Sequence, residues 1–213
     1  MPKDTLRSWS FQPRSVLETL RREGRVFVDE RLVSEGSPPF AHRWLAEQLA
    51  QRAPGYGGRL PWWLHTAFKS SWSKSPPAER ARNAEVLLEF ECDRSRVCTI
   101  PSWAWEQVFL GRYLALSHAD ELCWRRDLRR AGVARDAGGT WLDAQPIPLP
   151  EPFETRRRRS YERLFDPTLP ARRWPKSNRH GHASRRGMEA LVEALELDCS
   201  RRVVQSTESK ANA

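Results

Sequence analysis

The sequence predicts an α+β fold, a small mixed sheet with several flanking helices, in one core domain over residues 5–166 followed by a basic, partly mobile tail. Three observations predict it. Segments with helical apolar spacing and short strand-like runs both occur along the chain. A length of 213 residues fits one domain, or one domain and a tail, and is enough to bury a core without staples. With 39% hydrophobic and 30% charged residues most of the chain folds, and ten Trp supply large anchors where aliphatic residues are few.

The elements follow in order. Leu6 to Gln12 alternates partly and is aromatic, which reads as a first strand. Pro13 opens a helix from Arg14 to Glu23, with Val16, Leu17 and Leu20 at helical spacing and Gly24 as the stop. Arg25 to Val28 reads as a short strand. After the turn at Gly36-Ser37-Pro38-Pro39 comes a stronger helix, Phe40 to Arg52, with Phe40, Trp44, Leu45 and Leu49 on its apolar face and Ala41 and Gln48 on the other. Leu60 to Phe68 is ambiguous, and Ser70 to Arg82 reads as a polar loop.

Glu85 to Glu91 is the clearest strand, a short apolar run bounded by charge, and Arg96 to Ile100 extends it after a turn at Asp93-Arg94-Ser95. Ser102 is read as the N-cap of a helix beginning at Trp103. Ser117 is read as the cap of the next, with Asp120 in its first turn and an end near Gly132. Ala134 to Pro152, with Gly138-Gly139 and four Pro, is loop, and Glu154 to Asp166 re-enters the fold. Pro167 to Gly187 is basic and poor in aliphatics. Met188, Leu191 and Leu195 predict a terminal helix over about 188–197.

Cys92, Cys98, Cys123 and Cys199 form no CxxC pair and read as reduced thiols in a cytoplasm. His180-Gly181-His182 offers two ligands in an Arg-rich stretch, too few for a metal site, so no metal is expected. No apolar run approaches the roughly 18 residues of a membrane helix, and Met1-Pro2-Lys3-Asp4 lacks the apolar region of a secretory signal. No Gly-x-Ser-x-Gly elbow and no phosphate-cradling Gly loop supports a hydrolase or P-loop reading. Trp44 and Trp105 fall at helical core positions, whereas Trp62-Trp63 either pack in the core or line a flat pocket for an aromatic ring.

The net charge of +9 is local. Between Arg156 and Arg186 lie eleven Lys and Arg against two acids, Glu162 and Asp166, leaving as many acids as bases in the rest of the chain. The guanidinium forks of Arg156, Arg157, Arg158, Arg159, Arg172 and Arg173, with Lys176 and a Trp174 able to stack on a base, suit a nucleic acid or another acidic macromolecule. The same run reads equally as a solvated tail. Glu162, taken alone, reads as an intrahelical partner of Arg158 or Arg159.

Several stretches together resemble a known family. They are Trp9-Ser10-Phe11-Gln12, Ala41 to Arg52, Pro61-Trp62-Trp63, the strand at Glu85 to Glu91, Trp105, and Ser160-Tyr161-Glu162-Arg163-Leu164-Phe165-Asp166. Their order resembles an uncharacterised bacterial family of domains of unknown function, which begins with a Trp-Thr-Ile-Gln strand and ends with a Ser-Trp-Glu-Arg-Ile-Phe-Asp block. The chain departs from that pattern at Ser70 to Ser75, where the family carries an Asp-Leu-Arg block, and at Pro101-Ser102-Trp103, where it carries acidic residues.

A second, fold-level similarity is to compact ADP-ribosyltransferases, carried by the first strand, Leu20-Arg21-Arg22-Glu23-Gly24, the mid-chain strand and a late Glu. It implies an NAD-consuming protein, a toxin or phage-conflict factor. Glu162 would be the catalytic carboxylate that stabilises charge developing on the ribose. Ser10, Gln12 and either Trp62 or Trp63 would hold NAD, and the basic tail would recruit a nucleic-acid acceptor. The competing expectations are a non-enzymatic nucleic-acid-binding protein that uses residues 156–186, and an inhibitor or interaction module that binds an acidic protein.

Overall fold

The computed structural model describes residues 4–30, 39–53, 55–66, 85–133, 148–169 and 188–206. The chain divides into two compact units, one of Met1–Val28, Ala46–Cys98 and Glu189–Ala213, the other of Asp29–Leu45 and Thr99–Met188. The fold is α+β, as the sequence predicts, and no helix among the described residues is long and apolar enough to cross a membrane.

In the first unit β1 (Thr5–Pro13) leads straight into α1 (Arg14–Glu23), because Pro13 cannot continue the ladder. The helix stops at Gly24, whose φ of 77° is a left-handed conformation open to glycine, and whose amide bonds the Leu20 carbonyl at 2.9 Å. The strands β3 (Trp62–His65), β4 (Glu85–Asp93), β6 (Met188–Val192) and β8 (Ser200–Ser206) join β1 in the antiparallel run β6-β3-β1-β4-β8 of a six-stranded sheet. β1 and β4 pair over their full lengths, from Thr5 opposite Asp93 to Pro13 opposite Glu85. One face packs Leu64, Val86, Leu88, Phe90, Ala190 and Val192 against Leu17 and Leu20 of α1. A two-stranded ribbon, β2 (Arg25–Phe27) with β7 (Ala194–Glu196), adds Val26 and Leu195 to this core.

Two sequence expectations fail here. Met188 to Leu197 is not a helix but β6, β7 and the start of a 3-10 turn at Leu197–Cys199. Helical spacing of three apolar residues is outweighed by an open edge on β3, which β6 fills from Trp62 opposite Val192 to His65 opposite Glu189. The core therefore does not end at 166, since the sheet takes strands on both sides from beyond residue 187.

In the second unit β5 (Cys98–Pro101) passes into α3 (Ser102–Phe109). Ser102 is the first helical residue rather than the cap, a position held by Pro101 with no side-chain hydrogen bond. Trp103, buried beside Ala104 and Val108, is the core tryptophan of α3, while Trp105 is half-buried and rests on Phe109 and His42. α4 (His118–Arg130) is capped as expected, the Ser117 hydroxyl accepting from the Asp120 amide at 3.1 Å. α5 (Phe153–Tyr161) continues into a 3-10 turn, Glu162–Phe165. Tyr113 stacks on Trp124 at 4.4 Å, and Phe153 meets Trp124 edge-on at 5.8 Å, closing a small core with Leu128 and Leu149. The helix α2 (Pro39–Arg52) buries Ala41, Leu45, Ala46 and Leu49, so Ala41 belongs with its apolar positions.

Candidate functional site

Alternation along β1 sends Ser8, Ser10 and Gln12 to the sheet face that α1 covers. Ser10, 3% exposed, donates to the Trp63 carbonyl at 3.2 Å and accepts from the Gln12 amide nitrogen at 2.6 Å. Trp62 shares this face, and its indole donates to the Val26 carbonyl at 3.0 Å. Trp63, one residue on, points to the opposite face. Of the residues read as holding NAD, the sheet thus gathers Ser10, Gln12 and Trp62 in its apolar interior and separates Trp63 from them.

The opposite face carries His65, Trp9 and Glu89 in register across β3, β1 and β4. Glu89 has no solvent exposure, and the Arg7 guanidinium donates to its carboxylate. A carboxylate in such a place stays charged only with a counter-charge and hydrogen bonds. Sequence reading passed over Glu89. The available signal is that Leu87 and Leu88, on opposite faces, are both fully apolar, so β4 is covered on both sides and an acid within it is an exception.

Glu162 lies in the second unit, exposed in the 3-10 turn after α5. Among the described residues no ion pair ties it to Arg158 or Arg159. Arg158 bonds Glu154 instead, at 2.7 Å. The four consecutive arginines expected to form one contact surface have different surroundings. Arg157 is 2% exposed, donates to Glu154 at 2.5 Å and to the Gly111 carbonyl at 3.1 Å, and is therefore a core residue, not a surface contact. Its helical phase turns it inward while Arg158 and Arg159 face solvent. Arg156 pairs with Asp127 of α4 at 2.8 Å and lies over the rings of Tyr113 and Trp124. Arg172, Arg173, Trp174 and Lys176 lie outside the described residues.

Sequence reading also missed the contribution of α4. It exposes arginines 125, 126, 129 and 130, of which Arg129 and Arg130 lie in the last turn, where the backbone dipole favours cations. Asp127, hydrogen-bonded by Arg156 and near Arg126 and Arg130, has its carboxyl held below the ordinary range by those guanidiniums. One acid thus stands among three arginines drawn from two helices. Arg159 lies one turn beyond Arg156 on the same side of α5. Glu154 and Asp120 brace this unit. Burial disfavours the charged form of Glu154, but hydrogen bonds from Arg158, Arg157 and the Leu149 amide outweigh it and hold its carboxyl below 4.5. Asp120 is also held low, burial being outweighed by the Leu116 amide, the Tyr113 hydroxyl and Arg163.

No curated protein and no solved structure matches the chain. The family described as Domain of unknown function (DUF3841) matches residues 7–180, so β1 through the turn after α5 fall within it and β6 to β8 beyond it. The ordered motifs from Trp9 to Asp166 are thereby accounted for, and the chain belongs to the DUF3841 family of domains of unknown function.

Proposed function

We propose that the protein binds nucleic acid through an arginine surface on α4 and α5, with the basic sequence that follows residue 169 adding to it. The observation that carries this reading is the imbalance around Asp127, a single carboxylate set among Arg126, Arg130 and Arg156, with Arg129 and Arg159 exposed nearby on the same two helices. Such a surface meets phosphates without reading bases, so affinity falls steeply with salt. Fluorescence anisotropy of labelled single- and double-stranded oligonucleotides over a salt series tests it. Binding that ignores salt, or that survives replacement of Arg129, Arg130 and Arg159 unchanged, removes the reading.

A second reading keeps the NAD-consuming chemistry and rests on a different observation, the buried Glu89 paired with Arg7 beside Trp9 and His65. Arg7 would meet the pyrophosphate, an indole would face the nicotinamide ring, and Glu89 would stabilise charge developing on the ribose as the glycosidic bond breaks. Nicotinamide release from NAD, compared for the native chain, Glu89→Gln and Glu162→Gln, tests it. Loss only in Glu89→Gln supports the sheet face, loss only in Glu162→Gln restores the carboxylate expected from sequence, and no release from folded native protein ends the reading.

A further inference from the structure

Two carboxylates and a thiol from one short turn meet at a corner of the first unit that a second thiol, distant in sequence, also reaches. β7 ends at Glu196, the 3-10 turn Leu197–Cys199 follows, and β8 begins at Ser200 opposite Phe90. The turn is pinned by the Leu197 amide on the Gly24 carbonyl at 2.8 Å. This path brings Cys199 against the apolar core that holds Cys92, near the end of β4. Ligand atoms of Glu196, Asp198 and Cys199 lie within 4.8 Å of one another. Cys92 is 7% exposed, Glu196 half-buried and Asp198 exposed, so the cluster runs from the core to the surface. A cavity of about 280 Å³, bordered by Arg25, Tyr56, Cys92, Arg96, Glu196 and Cys199, gives an approach from solvent.

The geometry points to a metal site in which Cys199, Asp198 and Glu196 hold one zinc ion, and Cys92, which stands outside this trio at the edge of the core, turns in as the fourth donor and clips the turn before β8 to β4. Four donors of mixed sulfur and oxygen character suit a tetrahedral, borderline-soft divalent cation, while a wholly oxygen-coordinated metal such as magnesium makes no use of the thiols. Both thiols lose their protons on binding, so each zinc taken up releases two protons. Four anionic donors exceed the charge of the ion, and Arg96 offsets the excess from behind, its guanidinium 2.6 Å from a Glu196 oxygen. The site belongs to the first unit and does not depend on the arginine surface proposed for the second.

Cobalt titration of the reduced full-length chain is the test, with zinc then added in competition. The result expected is one cobalt per chain, with a sulfur-to-cobalt charge-transfer band and the intense visible bands of tetrahedral cobalt, all removed by zinc. Cys199→Ser and Cys92→Ser each cut the charge-transfer band to roughly half and weaken binding about a hundredfold, and Arg96→Ala weakens it about tenfold. Asp198→Asn, at an exposed position that spares folding, keeps the band at full height while weakening the affinity. Cys98→Ser and Cys123→Ser change nothing. Absence of the band from chain shown to be folded by circular dichroism, or a band indifferent to Cys199→Ser, overturns the site. So does a disulfide between Cys92 and Cys199 in chain that takes up no cobalt once reduced.

Discussion

Arg157 and Arg159 carry the same side chain two positions apart on one helix and do opposite work. Arg157, enclosed between Glu154 and the Gly111 carbonyl, takes from a half-buried carboxylate one of its three donors, and from the carbonyl its guanidinium partner, when removed. Arg157→Met should destabilise the protein by about 3 kcal/mol in urea unfolding, near the low end for breaking a buried pair, and leave the intrinsic affinity of folded protein for oligonucleotides unchanged. Arg159→Glu should do the reverse, changing stability by less than about 0.5 kcal/mol while weakening binding. Unchanged stability in Arg157→Met contradicts its placement in the core. The sequence shows four equivalent guanidiniums here, because which one turns inward depends on how α5 docks, and that is decided by Tyr113, Trp124 and Phe153. Glu89 was hidden for a related reason. Its counter-charge, Arg7, comes from a neighbouring strand at a diagonal position that only the register of β1 on β4 reveals.

Elements with local punctuation were legible. Pro13 and Gly24 bracket α1 as read, and Ser117 with Asp120 opens α4 as read, since caps act within a few residues of themselves. Ser117→Ala should cost about 1 kcal/mol, measured as a lower urea midpoint for the helical signal, and no loss would show that the cap is redundant. The strands past residue 187 were not legible, because Glu189 to Val192 find their pairing on β3, a partner distant in sequence. Acid should act on the helices of the second unit. Glu154 and Asp120 both have depressed pKa values, so the stability they contribute is present above their ordinary values of 4.5 and 3.8 and is lost as pH falls through the lower folded values. Thermal unfolding followed downward from pH 5 should show this loss, and Glu154→Gln should flatten it. An unaltered acid profile in that variant contradicts the role given to Glu154.

At the scale of the whole molecule, the first unit is closed by strands from both ends of the chain. Ending the protein at residue 187 removes β6 and β8, uncovering β3 and β4 edges that pair in the intact sheet. Such a truncation should lose cooperative unfolding and aggregate, whereas a soluble, cooperatively folded fragment would restore the domain limit at 166. The charge is distributed in the opposite sense, its excess falling in residues 156–186, while α4, outside that span, brings its own exposed arginines up to Asp127. The measurement that tests this account most directly is the slope of log affinity against log salt for an oligonucleotide, native chain against the Arg129→Ala, Arg130→Ala, Arg159→Ala triple variant. The slope should be steeply negative in the native chain and shallower by about 2 to 3 in the variant, at roughly 0.7–0.9 per lost phosphate contact. A slope near zero, or the same slope in both proteins, would contradict binding through the arginines of α4 and α5.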